Sequence, residues 1–452
     1  MSPQQFRRIC IVGSLVSISG CTGTPHLDAA PPVASPAWSD TATGGNGASP
    51  DVDLASLLGS SQLADLIDRA EATSPGLLRA SARIDQARAL LRLARGASLP
   101  SLSIGTNVSA NSRAGGGAFD FASNFATIDA ALSIDFAGGA AAERRSAAQR
   151  TMAARYDRDA LIILVTAELA RTYVARAALQ ARLGLIEQSI GQAAQLQKII
   201  ELRQRAGVAT KVDVGLQMIR VQQLRAERER LQQSLEETRV AISLLVGEEA
   251  PGFQIVPADI NQFAIPDIAP PSPSRLIATR PDVRAAELRI EAAGGDVRQA
   301  RAAFFPQLDL SIGRNAQSFL GSGLLSGFSI GADLMAPIFN RNRLKGNLAL
   351  AAAQQRESVQ NYREVLLAAL ADVENGLSAA AHARNRAAIL AAVTSQARQT
   401  AALARVQYLE GDADLRHLLD AQDLLINAQD AELVSRQERL EAAIALFRVS
   451  RA

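Results

Sequence analysis

Residues 94–104 read Ala-Arg-Gly-Ala-Ser-Leu-Pro-Ser-Leu-Ser-Ile, and residues 300–310 read Ala-Arg-Ala-Ala-Phe-Phe-Pro-Gln-Leu-Asp-Leu. Both stretches leave a helix-like run, cross a proline and enter alternating apolar and polar positions. A shift of 206 residues superimposes them, and it also matches Pro75 to Pro281, Arg83 to Arg289 and Ile84 to Ile290. After a small deletion, Gly207-x-Ala209 falls on Gly411-x-Ala413. This period is far longer than that of a solenoid, whose units run to about 20–50 residues. One large unit is written twice.

Each half has the same order. A helix (75–97, then 281–303) stops before a proline that opens an extended segment. Two alternating segments follow, about 101–112 and 124–137 in the first half, about 307–317 and 327–337 in the second. A very long helix comes next (about 140–205, then 341–409), then a Gly-centred tip. A second long helix returns (210–246, then 414–450). The first repeat therefore covers 51–250 and the second 276–452. Between them, 251–275 holds Pro251, Pro257, Pro266, Pro270, Pro271 and Pro273, too many for a helix.

The alternating segments fit membrane strands. Leu102, Ile104, Thr106, Val108 and Ala110 share one face, opposite Ser101, Ser103, Asn107 and Ser109. Ile128, Ala130, Leu132, Ile134 and Phe136 oppose Thr127, Asp129, Ser133 and Asp135. Leu308, Leu310 and Ile312 oppose Gln307, Asp309, Ser311 and Asn315, while Phe328, Ile330, Ala332 and Leu334 oppose Ser329 and Asp333. About ten residues is what a tilted strand needs to cross an outer membrane. Any one segment could belong to a soluble sheet; four at equivalent places in two repeats argue against that. Four strands cannot close a barrel, and an open edge in lipid leaves backbone groups unpaired. Several subunits must share one barrel.

The long helices carry seams. Leu419, Ile426, Leu433, Leu440 and Phe447 recur every seven residues. Leu179, Leu183, Ile186 and Ile190 step by four, three and four, as do Leu231, Leu235, Thr238 and Ile242. Such spacing sets one apolar edge against a neighbouring helix. A helix of about 65 residues extends close to 100 Å, too long for a compact domain.

Composition narrows the classes. Aromatics are 4% against a 48% hydrophobic share, so the apolar content favours close-packed helices over a bulky core. Lys+Arg 47 against Asp+Glu 45 offers no overall footprint for nucleic acid or an anionic surface. Two Cys and three His leave little for a disulfide framework or zinc. No GxSxG, HExxH or P-loop occurs, and Gly115-Gly116-Gly117 lacks a following Lys. No enzyme and no metal or cofactor site is expected.

The first 20 residues read as an address. Arg7 and Arg8 precede an apolar run from Ile9 to Ile18, and Ile18-Ser19-Gly20-Cys21 resembles a bacterial lipobox. The mature chain would start at Cys21 and carry covalent lipid; the plainer alternative is an ordinary signal peptide containing a Cys. Thr22 in place of Asp implies, by analogy with enteric lipoproteins, no retention in the inner membrane. Residues 21–50, rich in Pro, Ala, Gly, Ser and Thr, read as a tether, with a strap packed along the helices as the alternative.

Together these residues resemble the TolC-type outer-membrane efflux channels, in particular their NodT-like lipoprotein subgroup. The resemblance spans about 55–450. It is carried by Ala303-Phe304-Phe305-Pro306-Gln307-Leu308, Ala336-Pro337-Ile338-Phe339-Asn340, Tyr408-Leu-Glu-Gly411 and Leu418-Leu419-Asp420-Ala421-Gln422. It implies an α+β membrane protein. Three subunits would share a twelve-stranded β-barrel, four strands from each, continued by a long periplasmic α-helical barrel. It further implies a homotrimer in the outer membrane, docked on a periplasmic adaptor and an inner-membrane RND-type pump. The function so implied is a passive exit duct for drugs or toxic small molecules.

The same resemblance places a gate at the periplasmic tip. Asp213 and Tyr408 match groups that bond between neighbouring helix pairs in closed channels, and Asp420 matches a ring of carboxylates at the constriction. Two positions depart from the pattern: Ala413 stands where some members carry a gate Arg, and His417 where others carry a second Asp. The plainer alternatives are a solvated helix-start residue for Asp213, a packing residue for Tyr408 and a surface residue for His417. The rival for the whole chain is a lipid-anchored periplasmic coiled-coil protein without a pore, which leaves the paired strands idle.

Overall fold

The computed structural model describes Trp38 and residues 53–111, 121–319 and 325–451. The leader, Cys21 and the Gly115-Gly116-Gly117 loop lie outside these residues. Three helices open the chain: α1 (Leu54–Leu58), α2 (Ser61–Thr73) and α3 (Pro75–Gly96). Strands β1 (Ser101–Asn111) and β2 (Phe121–Asp135) lead into the long α4 (Gly139–Arg205), and α5 (Lys211–Val246) returns. The second repeat runs α6 (Pro273–Thr279), α7 (Pro281–Ala302), β3 (Gln307–Phe319), β4 (Leu325–Met335), α8 (Arg341–Glu410) and α9 (Leu415–Arg451). Pro75 and Pro281 each sit in a first helical turn, where a missing N–H costs nothing.

The strands form one antiparallel sheet in the order β1-β2-β3-β4. Register places Leu102, Ala130, Ile312 and Ile330 side by side on one face, and Ser103, Asp129, Gly313 and Ser329 on the other. The apolar face meets nothing of its own chain: Leu102, Ile104, Val108 and Ile330 are all more than 70% exposed. The polar face is crowded. A Cβ added at Gly313 would lie 2.6 Å from Asp129 and 2.9 Å from Ser329, and one at Gly331 would lie 2.5 Å from Ser311. Side chains converge like this on the concave side of a curved sheet, where glycine makes room for the bend. The polar face is thus the inside of the barrel and the apolar face the outside. Inside stand Asp129, Asp135, Asp309 and Asp333, with no Lys or Arg among the described residues of that face.

Below the sheet, α4 has 67 residues and α8 has 70, about 100 Å each at 1.5 Å per residue. Leu183 and Ile186 of α4 bury against Leu231 and Leu235 of α5, with Leu179 and Ile190 partly buried beside them. That is the seam of the first repeat. Midway along the helices lies the one bulky core, where α1 and α2 meet the middle of α4 and the ends of α5 and α9. Leu440 and Phe447, the last two heptad positions of α9, are buried in it.

The Pro-rich segment joins this core mostly as extended chain with a 3-10 turn at Ile260–Gln262. Against expectation its last residues open α6, because Pro273 stands in the first helical turn, where no N–H is needed. Phe253, Ile255, Ile260, Phe263 and Ile268 point inward. Its carbonyls find donors on a long helix: Arg436 bonds Ile260, Asn261 and Phe263 at 3.0–3.1 Å. Trp38 also docks here, its indole N–H donating to the Pro271 carbonyl at 2.9 Å. Trp38 is the one residue of the stretch read as a tether that lies among the described residues.

The helices stack end to end around this waist. Gly247, at φ 85° after α5, closes on the start of α3, and a Cβ there would lie 2.5 Å from the Thr73 carbonyl. In the second repeat, Arg280 at the head of α7 donates to the Val449 carbonyl of α9 at 3.3 Å and to Asp282 at 2.7 Å. Among the described residues no helix is long and apolar enough to cross a membrane.

Candidate functional site at the helix tips

The two helical hairpins turn through matching loops. Gly207 (φ 79°) and Gly411 (φ 93°) adopt the left-handed conformation that closes a helix C-terminus. In the first loop the N–H groups of Val208 and Ala209 bond the Arg203 carbonyl; in the second, those of Asp412 and Ala413 bond the Gln407 carbonyl. The returning helices are capped differently. Thr210 and Asp213 form a reciprocal capping box: the Thr210 Oγ accepts from the Asp213 N–H at 3.1 Å, and the Asp213 carboxylate accepts from the Thr210 N–H at 2.8 Å. On α9, Asp414 accepts from the His417 N–H at 2.8 Å.

Asp213 therefore has a defined structural task, and the Thr210 hydroxyl also donates to it at 2.8 Å. A carboxylate offers about four acceptor positions, so capacity for a further donor remains. Tyr408 is 5% exposed, set in an apolar cluster with Leu196 and Ile200 of α4 and Leu415 and Leu418 of α9. Burial, chiefly, raises its hydroxyl pKa, opposed by Arg203, with the Asp213 charge adding to the rise. Within one subunit the Asp213 charge is close enough to be felt at Tyr408. Asp420 and His417 are exposed near the start of α9.

Three arginine contacts that motif reading did not name join the repeats. At the tip, Arg203 lies over the Tyr408 ring, 4.7 Å from its centre, and donates to the Tyr408 carbonyl at 3.1 Å. Further up, Arg220 of α5 pairs with Asp423 of α9, one turn beyond Asp420. Higher still, Arg182 of α4 clasps Asp430 of α9 with two bonds of 2.6 and 3.0 Å. Burial raises the Asp423 pKa; Arg220 opposes this and the Asp420 charge adds to it. In each contact the cation belongs to the first repeat and the acceptor to the second. The one sequence signal was the run of acids Asp420, Asp423 and Asp430 along α9.

Arranged so, the tips hold two helical hairpins together by a few exchangeable polar contacts around exposed acidic groups. Among the described residues no cluster suited to a metal ion occurs.

Residues 66–248 and 272–450 match the family described as outer membrane efflux protein, one match per repeat. The pyoverdine export outer membrane protein OpmQ of Pseudomonas putida is 30% identical, over 98% of this chain and 96% of its own length. Outer membrane protein OprJ of Pseudomonas aeruginosa is also 30% identical, over 96% of this chain and 93% of its own. The solved outer-membrane channel OprN superposes with a TM-score of 0.82 at 24% identity, covering 92% of this chain and 96% of that one. With both repeats matched, the chain belongs to the outer membrane efflux protein family, a family of ducts rather than enzymes, and it is an outer-membrane efflux channel subunit.

Proposed function

We propose that three copies of this chain make a passive duct, held to the membrane by lipid on Cys21 and closed at rest by the helix tips. The carrying observation is the pair of open edges, β1 and β4, on a sheet whose outer face is apolar. Lipid tolerates no open edge, so each must pair with another copy. Two copies would give eight strands, whose interior side chains fill; three give twelve and leave a channel.

The tips supply the gate. Asp213 and Tyr408 bond between neighbouring hairpins in the closed assembly, and Asp420 from each copy rings the aperture. His417 neighbours that ring and has a surface role. The acidic inner wall of the barrel continues the same sign, so the duct favours cations. Val208 and Val212 at the tip are 66% and 68% exposed, an apolar rim suited to a periplasmic adaptor. An RND-type inner-membrane pump then feeds the duct with drugs or toxic small molecules.

The anchor fits the geometry. Seventeen residue-to-residue steps lead from Cys21 to Trp38, enough to span about 56 Å when extended. From the waist to the barrel is the length of α3, 22 residues or about 33 Å. Detergent-extracted protein should run on native mass measurement at three times the subunit mass; a monomer overturns the shared barrel. Cys21→Ser should abolish palmitate labelling while leaving that mass trimeric.

A further inference from the structure

We propose that the outer surface where the barrel meets the helices holds an anionic phospholipid, its headgroup in an arginine cup and one acyl chain in an apolar trough above. The inference rests on the outward orientation of the sheet's apolar face. The cup is a cleft of about 400 Å³ between the start of α4 and the end of α7, lined by Arg145, Arg298 and Arg301. Among the described residues none of the three guanidinium groups has a hydrogen-bond or ion-pair partner. The nearby acids are engaged elsewhere. Asp296 binds Arg150 and Ser146, Glu143 accepts from Gln299, and Asp135 caps the start of α4 through the Ala137 and Ala140 N–H groups. Three like charges facing one cleft repel until an anion joins them, and a guanidinium fork matches phosphate geometry.

The cup is built rather than incidental. Its remaining walls are mostly alanine and glycine, so no side chain fills it. Gly139 and Gly295 draw α4 tight against α7: a Cβ at Gly139 would lie 2.8 Å from the Ala302 Cβ, and one at Gly295 2.9 Å from the Ser146 Cβ. The floor is therefore fixed by close helix packing.

Directly above, sharing Ala137 and Phe305 with the cup, runs a second cleft of about 460 Å³. Its other walls are Phe136, Pro306 and Leu334, all apolar. Leu334 lies on the outward face of the sheet at the end of β4 nearest the helices, and Phe136, 66% exposed, follows directly on the end of β2. A charged cup beneath an apolar trough, at the level where hydrocarbon gives way to water, has the profile of a phospholipid. The cup lies at the feet of β2 and β3, the central strands, and the trough reaches the outward face of β4 only at Leu334. It stays on the outside of the assembled barrel.

The chain's own lipid on Cys21 carries no phosphate, so it cannot satisfy the arginines; free phosphate could, but would leave the trough unused. The test is native mass spectrometry of the delipidated trimer, titrated with phosphatidylglycerol or phosphatidylethanolamine. Wild-type protein should take up to one phosphatidylglycerol per subunit, and Arg145→Gln/Arg298→Gln/Arg301→Gln should bind it at least tenfold more weakly. Cys21→Ser should bind as wild type does. Should the triple variant fail to assemble, Ala141→Leu, which fills the cup and keeps every charge, should show the same loss. Equal uptake of phosphatidylethanolamine, unchanged binding by the variants, or displacement by millimolar inorganic phosphate would each overturn the proposal. A failure of the trimer itself would register separately, as loss of the trimeric mass.

Discussion

The two hairpin tips are copies of one design, yet they carry different chemistry. Position for position, Thr210 corresponds to Asp414 and Asp213 to His417, all four at helix starts. The first tip closes on itself through a reciprocal capping box; the second has only a one-way cap, from the His417 N–H to Asp414. The helix bodies diverge too. The first repeat presents Arg182, Arg203 and Arg220 to the second, which answers with Asp430, the face and carbonyl of Tyr408, and Asp423. Duplication supplied two similar rods. In these three contacts the first rod is the donor and the second the acceptor, so that the hairpins grip each other as well as themselves.

Breaking the grip at its most buried point should have the largest effect. Arg182 and Asp430 are 19% and 33% exposed, and they meet through two bonds. Arg182→Ala strands the carboxylate and should cost about 2–3 kcal/mol, near the lower bound for a buried pair because Asp430 remains partly wet. Read as single-channel conductance in a planar bilayer, the open population should rise at least tenfold. The matching arginine of the second repeat, Arg386, pairs with Glu438 of its own repeat on the surface, so Arg386→Ala should change little. Equal effects from the two variants would deny the asymmetry.

Arg220→Ala should come next, at about 1–2 kcal/mol, since its partner Asp423 is 45% exposed. This pair also brings a pH dependence with a definite sign. Burial holds the Asp423 pKa above its ordinary 3.8, so the folded tip binds that proton more tightly than the unfolded chain does. The group's contribution is therefore full at pH below 3.8 and is lost as pH rises through the raised value. Asp423→Asn should gain more, relative to wild type, at pH 7 than at pH 4, measured by thermal unfolding. A gain that grows on acidification would reverse the assignment.

These cross-repeat contacts were the part of the molecule least legible in the sequence. The strands announced themselves because alternation is local: Leu102, Ile104 and Val108 declare a face without reference to any other segment. The seams did so as well, since Leu183, Ile186, Leu231 and Leu235 repeat at helical spacing. Arg182 and Asp430 stand 248 residues apart, and no period links them. The short α1, α2 and α6 were likewise unforeseen. Their few apolar residues, such as Leu58, Leu66 and Leu276, matter only inside a core assembled from distant helices. Net charge misled in the opposite direction. A balance of +2 conceals Arg145, Arg298 and Arg301 gathered where the sheet meets the helices, because the acids that offset them are spent elsewhere.

Thr210→Ala and Asp414→Ala probe the difference between the caps. Loss of an N-cap costs about 1 kcal/mol, but the Thr210 hydroxyl also donates to the Asp213 carboxylate, a contact that alanine cannot make. Thr210→Ala should therefore raise conductance about fivefold or more and Asp414→Ala about half as much in free energy, for a group that anchors only its own helix.

The smallest effect belongs to Tyr408→Phe, and it separates two roles of one side chain. The ring fills the tip cluster and lies beneath Arg203, and phenylalanine keeps both contacts. Only the hydroxyl is lost. If that hydroxyl bonds Asp213 of a neighbouring hairpin, its removal should cost under about 1 kcal/mol, since the Asp213 carboxylate is only half-buried and the bond falls short of a fully buried charge-assisted one. Conductance should then rise two- to fivefold, and Asp213→Asn combined with it should add less than the two changes apart, since they remove one shared bond. Strict additivity would assign Tyr408 to packing alone and leave the closure to the arginine grip.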